Sequence, residues 1–291
     1  MGELHVLSGA SSRDQWDEAF GGAGNVVRFK PDDWIVVDRP TRAAHGVRIQ
    51  GQGATLRADY DPKDGPILSS SHPETGRRWT GRSLFVNDLE VYGEDSHVGI
   101  DMPNANRAVL TDVRGTRLQT FARVRTVGDS GQVEHNTFER CAWSRCGVGL
   151  SYEANPAKPR GGHKGQRIWN CTGHETMLGV VFAQGTNPYT TSIWRTHMWF
   201  NGNLPWAIGL LFDGHMAGVN VDASFELAWK DRFDTRVVPV YAGSSSSAWE
   251  QMEGRLHLTN STADSGMPDA IVQHAELSED AASRFAVTST P

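Results

Sequence analysis

Between Asn25 and Asp59 short apolar runs alternate with turn chemistry. Val26-Val27-Arg28-Phe29, Trp34-Ile35-Val36-Val37 and Val47-Arg48-Ile49 are each too short for a helix and have the β-branched composition of buried strands. Pro31-Asp32-Asp33, Arg39-Pro40-Thr41 and His45-Gly46 interrupt them. Ahead of this stretch, Ser11 to Phe20 reads as a short helix, with Ser11 or Ser12 as N-cap, acids in the first turn and Trp16, Ala19 and Phe20 on one face. Gly21-Gly22 ends it.

The middle of the chain repeats. Val86-Asn87-Asp88-Leu89, Leu110-Thr111-Asp112-Val113 and Glu134-His135-Asn136-Thr137 align at a spacing of 24 positions, and Ile168-Trp169-Asn170-Cys171 follows after 34, a gap lengthened by the loop Ala154 to His163. Ile193-Trp194-Arg195 falls 25 positions later. A second strand recurs in register as Val98-Gly99-Ile100, Val148-Gly149-Leu150, Leu178-Gly179-Val180 and Ile208-Gly209-Leu210, while the copy at Ala122-Arg123-Val124 lacks its glycine. A period in the twenties with two or three strands per repeat predicts a solenoid, in which each repeat buries its apolar face only against the next. The Leu-x-x-Leu-x-Leu frame of leucine-rich repeats is absent.

The run Gly46-Val47-Arg48-Ile49-Gln50-Gly51-Gln52-Gly53-Ala54-Thr55-Leu56 resembles the first coils of the pectate-lyase-like superfamily. That resemblance implies an all-β fold, a right-handed single-stranded parallel β-helix. It also implies one of several roles: polysaccharide lyase, glycoside hydrolase, epimerase, or bacteriophage tailspike and virion protein. The organisation expected is an N-terminal segment and capping helix over residues 1–24, the β-helix over 25–275, and a C-terminal cap and tail over 276–291, with a short helix over 276–285. A helix laid on the open end of the stack would shield its unpaired backbone groups.

Composition narrows the function classes. The net charge is −6 and no region concentrates Lys and Arg, which argues against a nucleic-acid partner. Met1 to Ala10 has neither a basic start nor an apolar run, so no signal peptide and no membrane insertion are expected. Synthesis in a host cytoplasm followed by a virion or extracellular location fits that reading. Cys141, Cys146 and Cys171 have no metal-ligand spacing and read as buried thiols; no metal or cofactor is expected.

Candidate chemistry is sparse. The acid pairs, Gly-His-Gly and Arg-Ile-Lys elements of polygalacturonase-type hydrolases are missing: Asp32-Asp33 lies in the wrong coil, and Gly162-His163-Lys164 lies in an inserted loop. The best carboxylate pair is Glu153 with Asp213, each three positions past a shared Gly-apolar step and two coils apart. That separation is roughly 10 Å, toward the upper end of the range used by inverting glycosidases. Two solvated acids at the mouth of a loop is the favoured competing reading. His135, Glu139, His174 and Glu175 form a second candidate cluster, able to bind a divalent metal or to serve as acid and base, with His215 beside Asp213. Among the aromatics, Trp199, Trp206, Tyr152 and Trp143 are candidates for contact with sugar rings, whereas Trp169 and Trp194 are expected to stack inside the coils.

Two functions fit this pattern. One is a bacteriophage virion protein, structural or adhesive, assembled with other virion proteins or with itself as a trimer and contacting a cell-surface polysaccharide. The other is a carbohydrate-active lyase or hydrolase.

Overall fold

The computed structural model describes residues 2–70, 84–128, 132–155, 161–201, 204–228, 236–243, 252–260, 272–274 and 285–290. All strand pairings among them are parallel, and they form two sheets. One sheet holds nine strands in strict chain order, from Thr41–Ala43 through Leu68–Ser70, Val98–Pro103, Thr120–Arg125, Val148–Glu153, Leu178–Phe182, Trp206–Phe212 and Arg236–Ala242 to Val272–His274. Each marks one coil, numbered 1 to 9 below, and this ladder is the third face. The first and second faces, strands such as Arg167–Trp169 and Thr172–His174 in coil 6, stack in the nineteen-stranded sheet.

The corner between the first and second faces turns on a single residue in the left-handed region. At the first corner Asp88, Asp112, Arg140, Asn170 and Arg195 have φ of 54°, 55°, 52°, 53° and 50°. Each of the first four donates its N–H to the carbonyl that precedes the next corner, as from Asp112 to Glu139 at 3.0 Å and from Arg140 to Trp169 at 2.9 Å. The corner residue of coil 5 is therefore Arg140, not Asn136. Coil 5 carries an additional strand, Gln132–Glu134, before Thr137–Glu139, and this shifts the frame. Asn136 instead points inward, fully buried: its Oδ1 accepts the Ala108 N–H at 2.9 Å, and its Nδ2 donates to the Ala105 carbonyl and to Gln166 Oε1 at 3.0 and 3.2 Å.

The core is one continuous column. At the centre of the second face the inward residues run Val91, Gly115, Trp143, Gly173, Met198, Phe225. Opposite them on the third face run Gly99, Phe121, Gly149, Gly179, Gly209, Pro239. In coils 3, 4, 5 and 7 a larger residue on one side faces a glycine on the other; in coil 6 Gly173 and Gly179 face each other, and Trp143 and Met198 of the neighbouring coils fill the space beside them. Phe121 fills the slot that lacks a glycine in the repeat; its ring occupies the space beside Gly115 and stacks 6.0 Å from the Trp143 ring. Tyr152, Phe182 and Phe212 form a second interior stack, with centroids 4.4 and 5.5 Å apart. Cys141, Cys146 and Cys171 are free and buried.

The helix Arg13–Gly21 covers the N-terminal end. Ser12 is the N-cap and forms a capping box with Gln15. Trp16, Phe20 and Phe29 pack together with centroids 5.1 to 6.5 Å apart, and Trp16 Nε1 donates to Thr41 Oγ1 at 3.1 Å. Strand Leu4–Leu7, ahead of the helix, pairs with Val26–Phe29. The C-terminal helix expected over 276–285 lies outside the described residues, apart from Phe285, which begins the strand Phe285–Thr290.

Candidate functional site

Side chains alternate in and out along each strand, and partners in register stack about 4.8 Å apart. On coils 6 to 8 this rule gathers polar and aromatic groups on one outward surface that spans the first corner. Coil 6 contributes Arg167, Trp169, Thr172 and His174; the long strand Thr186–Asn201 of coil 7 contributes Ser192, Trp194, His197 and Trp199; Ala217–Ala228 of coil 8 contributes Asn220, Asp222, Ser224 and Glu226. Ile168, Ile193 and Val221 point the other way and are buried.

The surface is internally bonded. Trp169 Nε1 donates to Ser192 Oγ at 3.4 Å, and the Arg167 guanidinium lies 5.3 Å from the centre of the Trp169 ring. Trp194 is 46% exposed. His174 and Trp199 stack face to face at 4.0 Å and 12°. His197 lies 2.8 Å through Nδ1 from Ser224 Oγ and 3.6 Å through Nε2 from Glu226. His257 repeats the motif one coil beyond Ser224, 2.6 Å from Thr288 Oγ1 and 3.9 Å from Asp222.

At the second corner the surface runs into a groove of about 330 Å3. Leu118, Cys146, Met177 and Leu204 make its apolar lining, and Asp95, Arg145 and Glu175 its polar lining. Each acid is neutralised by a guanidinium: Arg117 meets Asp95 at 2.6 Å and Arg145 meets Glu175 at 2.9 Å. Asp95 also raises the Arg117 pKa, chiefly through their hydrogen bond.

Two of the expected sugar-contacting residues are interior. Tyr152 is 0% and Trp143 1% exposed, because both occupy inward positions of their strands. Trp169 and Trp194 are in the reverse situation: they are register partners, as their alignment implies, but they face outward. Trp199 is half-buried and Trp206, 42% exposed, opens the third-face strand of coil 7.

The acid-base candidates fall into separate places. Tyr152, Phe182 and Phe212 are register partners, so Glu153, Ala183 and Asp213 succeed them on one column, which places Ala183 between the two acids. Ser151 Oγ donates to Glu153 at 3.0 Å. Glu139 sits in register with Trp169 on the first face and accepts from Arg140 at 2.7 Å, whereas His174 is in register with Ser144 on the second. His135 is an exposed corner residue with φ 57° packed beside Gly165, and His215 is exposed ahead of coil 8. The structure therefore does not assemble His135, Glu139 and His174 into one centre. Among the described residues no group of three or more His, Cys, Asp or Glu is arranged to hold a metal ion.

His197, Asp222, Ser224 and Glu226 carry no sequence motif. The signal they leave is the out-in-out pattern His197-Met198-Trp199 repeated 27 positions later as Ser224-Phe225-Glu226.

Three corners per coil, parallel ladders and a continuous column core decide the architecture. The chain is a right-handed parallel β-helix, consistent with the pectate-lyase-like form. No protein-family model and no curated protein matches the sequence of this β-helix. Solved structures similar to it include ORF18 of Geobacillus virus E2, with 10% identity, 91% of this chain and 62% of that one covered, and a TM-score of 0.45. Another is the catalytic domain of a GH87 alpha-1,3-glucanase in complex with tetrasaccharides, at 11% identity, 98% and 68% coverage and TM-score 0.44. A third is PfbA, a surface adhesin of Streptococcus pneumoniae, at 14%, 91%, 78% and 0.43. The β-helix thus spans less than two thirds of the length of the viral protein. Among the described residues no helix is long and apolar enough to cross a membrane.

Proposed function

We infer that the protein is an adhesive β-helix that binds a bacterial surface glycan through the outward surface of coils 6 to 8, as a component of a bacteriophage virion. The observation that carries this reading is the outward pair Trp169 and Trp194 with the stacked His174 and Trp199 beside it. Flat aromatic faces on a rigid scaffold complement the C–H faces of sugar rings. The hydroxyl, amide and guanidinium groups of Ser192, Asn220 and Arg167 lie within the same rows to meet sugar hydroxyls. Asp95 and Glu175, the acids of the groove at the second corner, are committed to arginine pairs and so suit holding a ligand better than transferring a proton. The resemblance of Gly46 to Leu56 to a superfamily rich in tailspike proteins supports the virion setting. Assembly with other virion proteins, or with copies of itself as a trimer, belongs to the same proposal.

The test is an array of immobilised bacterial polysaccharides probed with the wild-type protein and with Trp194→Ala. Binding to a defined glycan that weakens in the variant supports adhesion. The release of new reducing ends or unsaturated products from the bound glycan would instead support a hydrolase or lyase.

A further inference from the structure

We propose that Ser224, His197 and Glu226 form a serine esterase centre that removes acyl groups from hydroxyls of a bound glycan. The substrate class rests on the glycan-binding reading above; the centre itself rests on geometry. His197 Nδ1 lies 2.8 Å from Ser224 Oγ, within the reach a general base needs to accept the hydroxyl proton. Glu226 stands 3.6 Å from Nε2, the other ring nitrogen. That is beyond direct hydrogen-bond reach, so the carboxylate acts through its charge: it favours the proton on Nε2, which leaves Nδ1 as the acceptor toward serine, and it favours the imidazolium that forms during reaction. The three residues come from adjacent strands in fixed register, His197 against Ser224 and Trp199 against Glu226. Their spacing is therefore set by the sheet and not by loops.

His257 and Thr288 show what the ladder alone produces: the same imidazole-to-hydroxyl step at 2.6 Å, but with a secondary hydroxyl and with its acid, Asp222, at 3.9 Å. The Ser224 centre differs in having a primary hydroxyl and an acid two residues along its own strand. Trp199 follows His197 by two residues on the same outward side and stacks on His174. A sugar ring resting on that platform would carry its substituents over Ser224. Arg195, exposed at the corner two residues before His197, is the cationic group on this row for a developing oxyanion.

The step balances with water as the only co-reactant. Ser224 Oγ bonds to the ester carbonyl carbon while its proton passes to His197 Nδ1. The carbon–oxygen bond to the sugar then breaks, and the sugar hydroxyl leaves with that proton. Water next gives a proton to His197 and adds to the acyl carbon; the bond to Oγ breaks, Ser224 recovers its proton and the carboxylic acid departs.

Incubation with a fluorophosphonate, followed by mass spectrometry, and hydrolysis of p-nitrophenyl acetate together test the centre. The expected result is an adduct on Ser224, hydrolysis reduced to the buffer rate in Ser224→Ala and His197→Gln, and unchanged hydrolysis in Thr288→Ala. Glu226→Gln should keep the adduct, react at least tenfold more slowly and move the acid limb of the pH profile, with partial recovery in Glu226→Asp. Absence of the adduct, or wild-type turnover by Ser224→Ala, overturns the centre. Neither reagent contains a sugar, so that result is independent of glycan binding. Hydrolysis of p-nitrophenyl acetate without release of acetate from O-acetylated bacterial polysaccharides overturns the substrate class.

Discussion

Trp169 and Trp194 are register partners on neighbouring coils, and both indoles face solvent. Strand parity decides this: Ile168 and Ile193 fill the interior positions beside them. An exposed Trp contributes little to folding, so Trp194→Ala should change stability by no more than about 0.5 kcal/mol. Trp143→Ala, which empties a fully buried indole site, should cost roughly 3–5 kcal/mol. Urea denaturation of the two variants checks the contrast, and equal losses would show that the faces are misassigned.

Gly149 makes room for Trp143. A Cβ at Gly149 would strike the Trp143 indole and the Gly179 carbonyl. Gly149→Ala should therefore destabilise by roughly 1–3 kcal/mol. Because the two sites share one volume, Trp143→Phe should recover part of that loss, giving a non-additive double-mutant cycle. Strict additivity would contradict the large-against-small packing of the column.

Asn136 and Gln166 form a buried amide ladder at 3.2 Å, and Gln166 Nε2 donates to the Val133 and Lys164 carbonyls at 3.1 and 2.8 Å. Asn136→Ala leaves the Ala108 N–H and the Ala105 carbonyl without their side-chain partner. The expected cost is roughly 2–4 kcal/mol by chemical denaturation. A loss below about 1 kcal/mol would mean that water replaces the amide.

Burial pushes the Cys146 thiol up to about 12 and raises Cys141 as well, with help from the neighbouring Cys171. Unfolded thiols titrate near 8.5, so above that pH the unfolded chain loses protons that the folded chain keeps. This contribution to stability is complete below about pH 8.5 and falls as pH rises toward 12, by up to about 1.4 kcal/mol per pH unit for each such thiol. Thr176, on the next coil, donates to the His174 carbonyl at 3.1 Å as Cys146 donates to the Ser144 carbonyl at 3.4 Å. Cys146→Thr should therefore fold and flatten the alkaline decline in melting temperature. An unchanged decline would assign it to other groups.

The coil frame was legible because repetition in a solenoid is repetition in sequence: Val86, Leu110, Ile168 and Ile193 share one inward column. The misplacement of Asn136 arose because Asn and Asp suit left-handed corners, whereas Arg140 holds that backbone here through stacking of the coils and not through local preference. Its guanidinium closes a bidentate pair with Asp112 at 2.8 Å, which holds the Asp112 carboxyl below its ordinary value. Trp143 and Tyr152 were misread because an aromatic residue suits both a core and a sugar platform, and only strand parity separates the two. The surface around His197 and Ser224 was invisible because its members are brought together by register across coils and by no local motif.

The most direct measurement is isothermal titration with the polysaccharide retained on the array, comparing Trp169→Ala/Trp194→Ala with Trp34→Ala. Trp34 is 52% exposed on coil 1, far along the stack from the proposed surface, and serves as the control. Glycan binding by coils 6 to 8 predicts at least a tenfold loss of affinity in the double variant, about 1.4 kcal/mol, and no loss in Trp34→Ala. Wild-type affinity in the double variant, or an equal loss in Trp34→Ala, would contradict it.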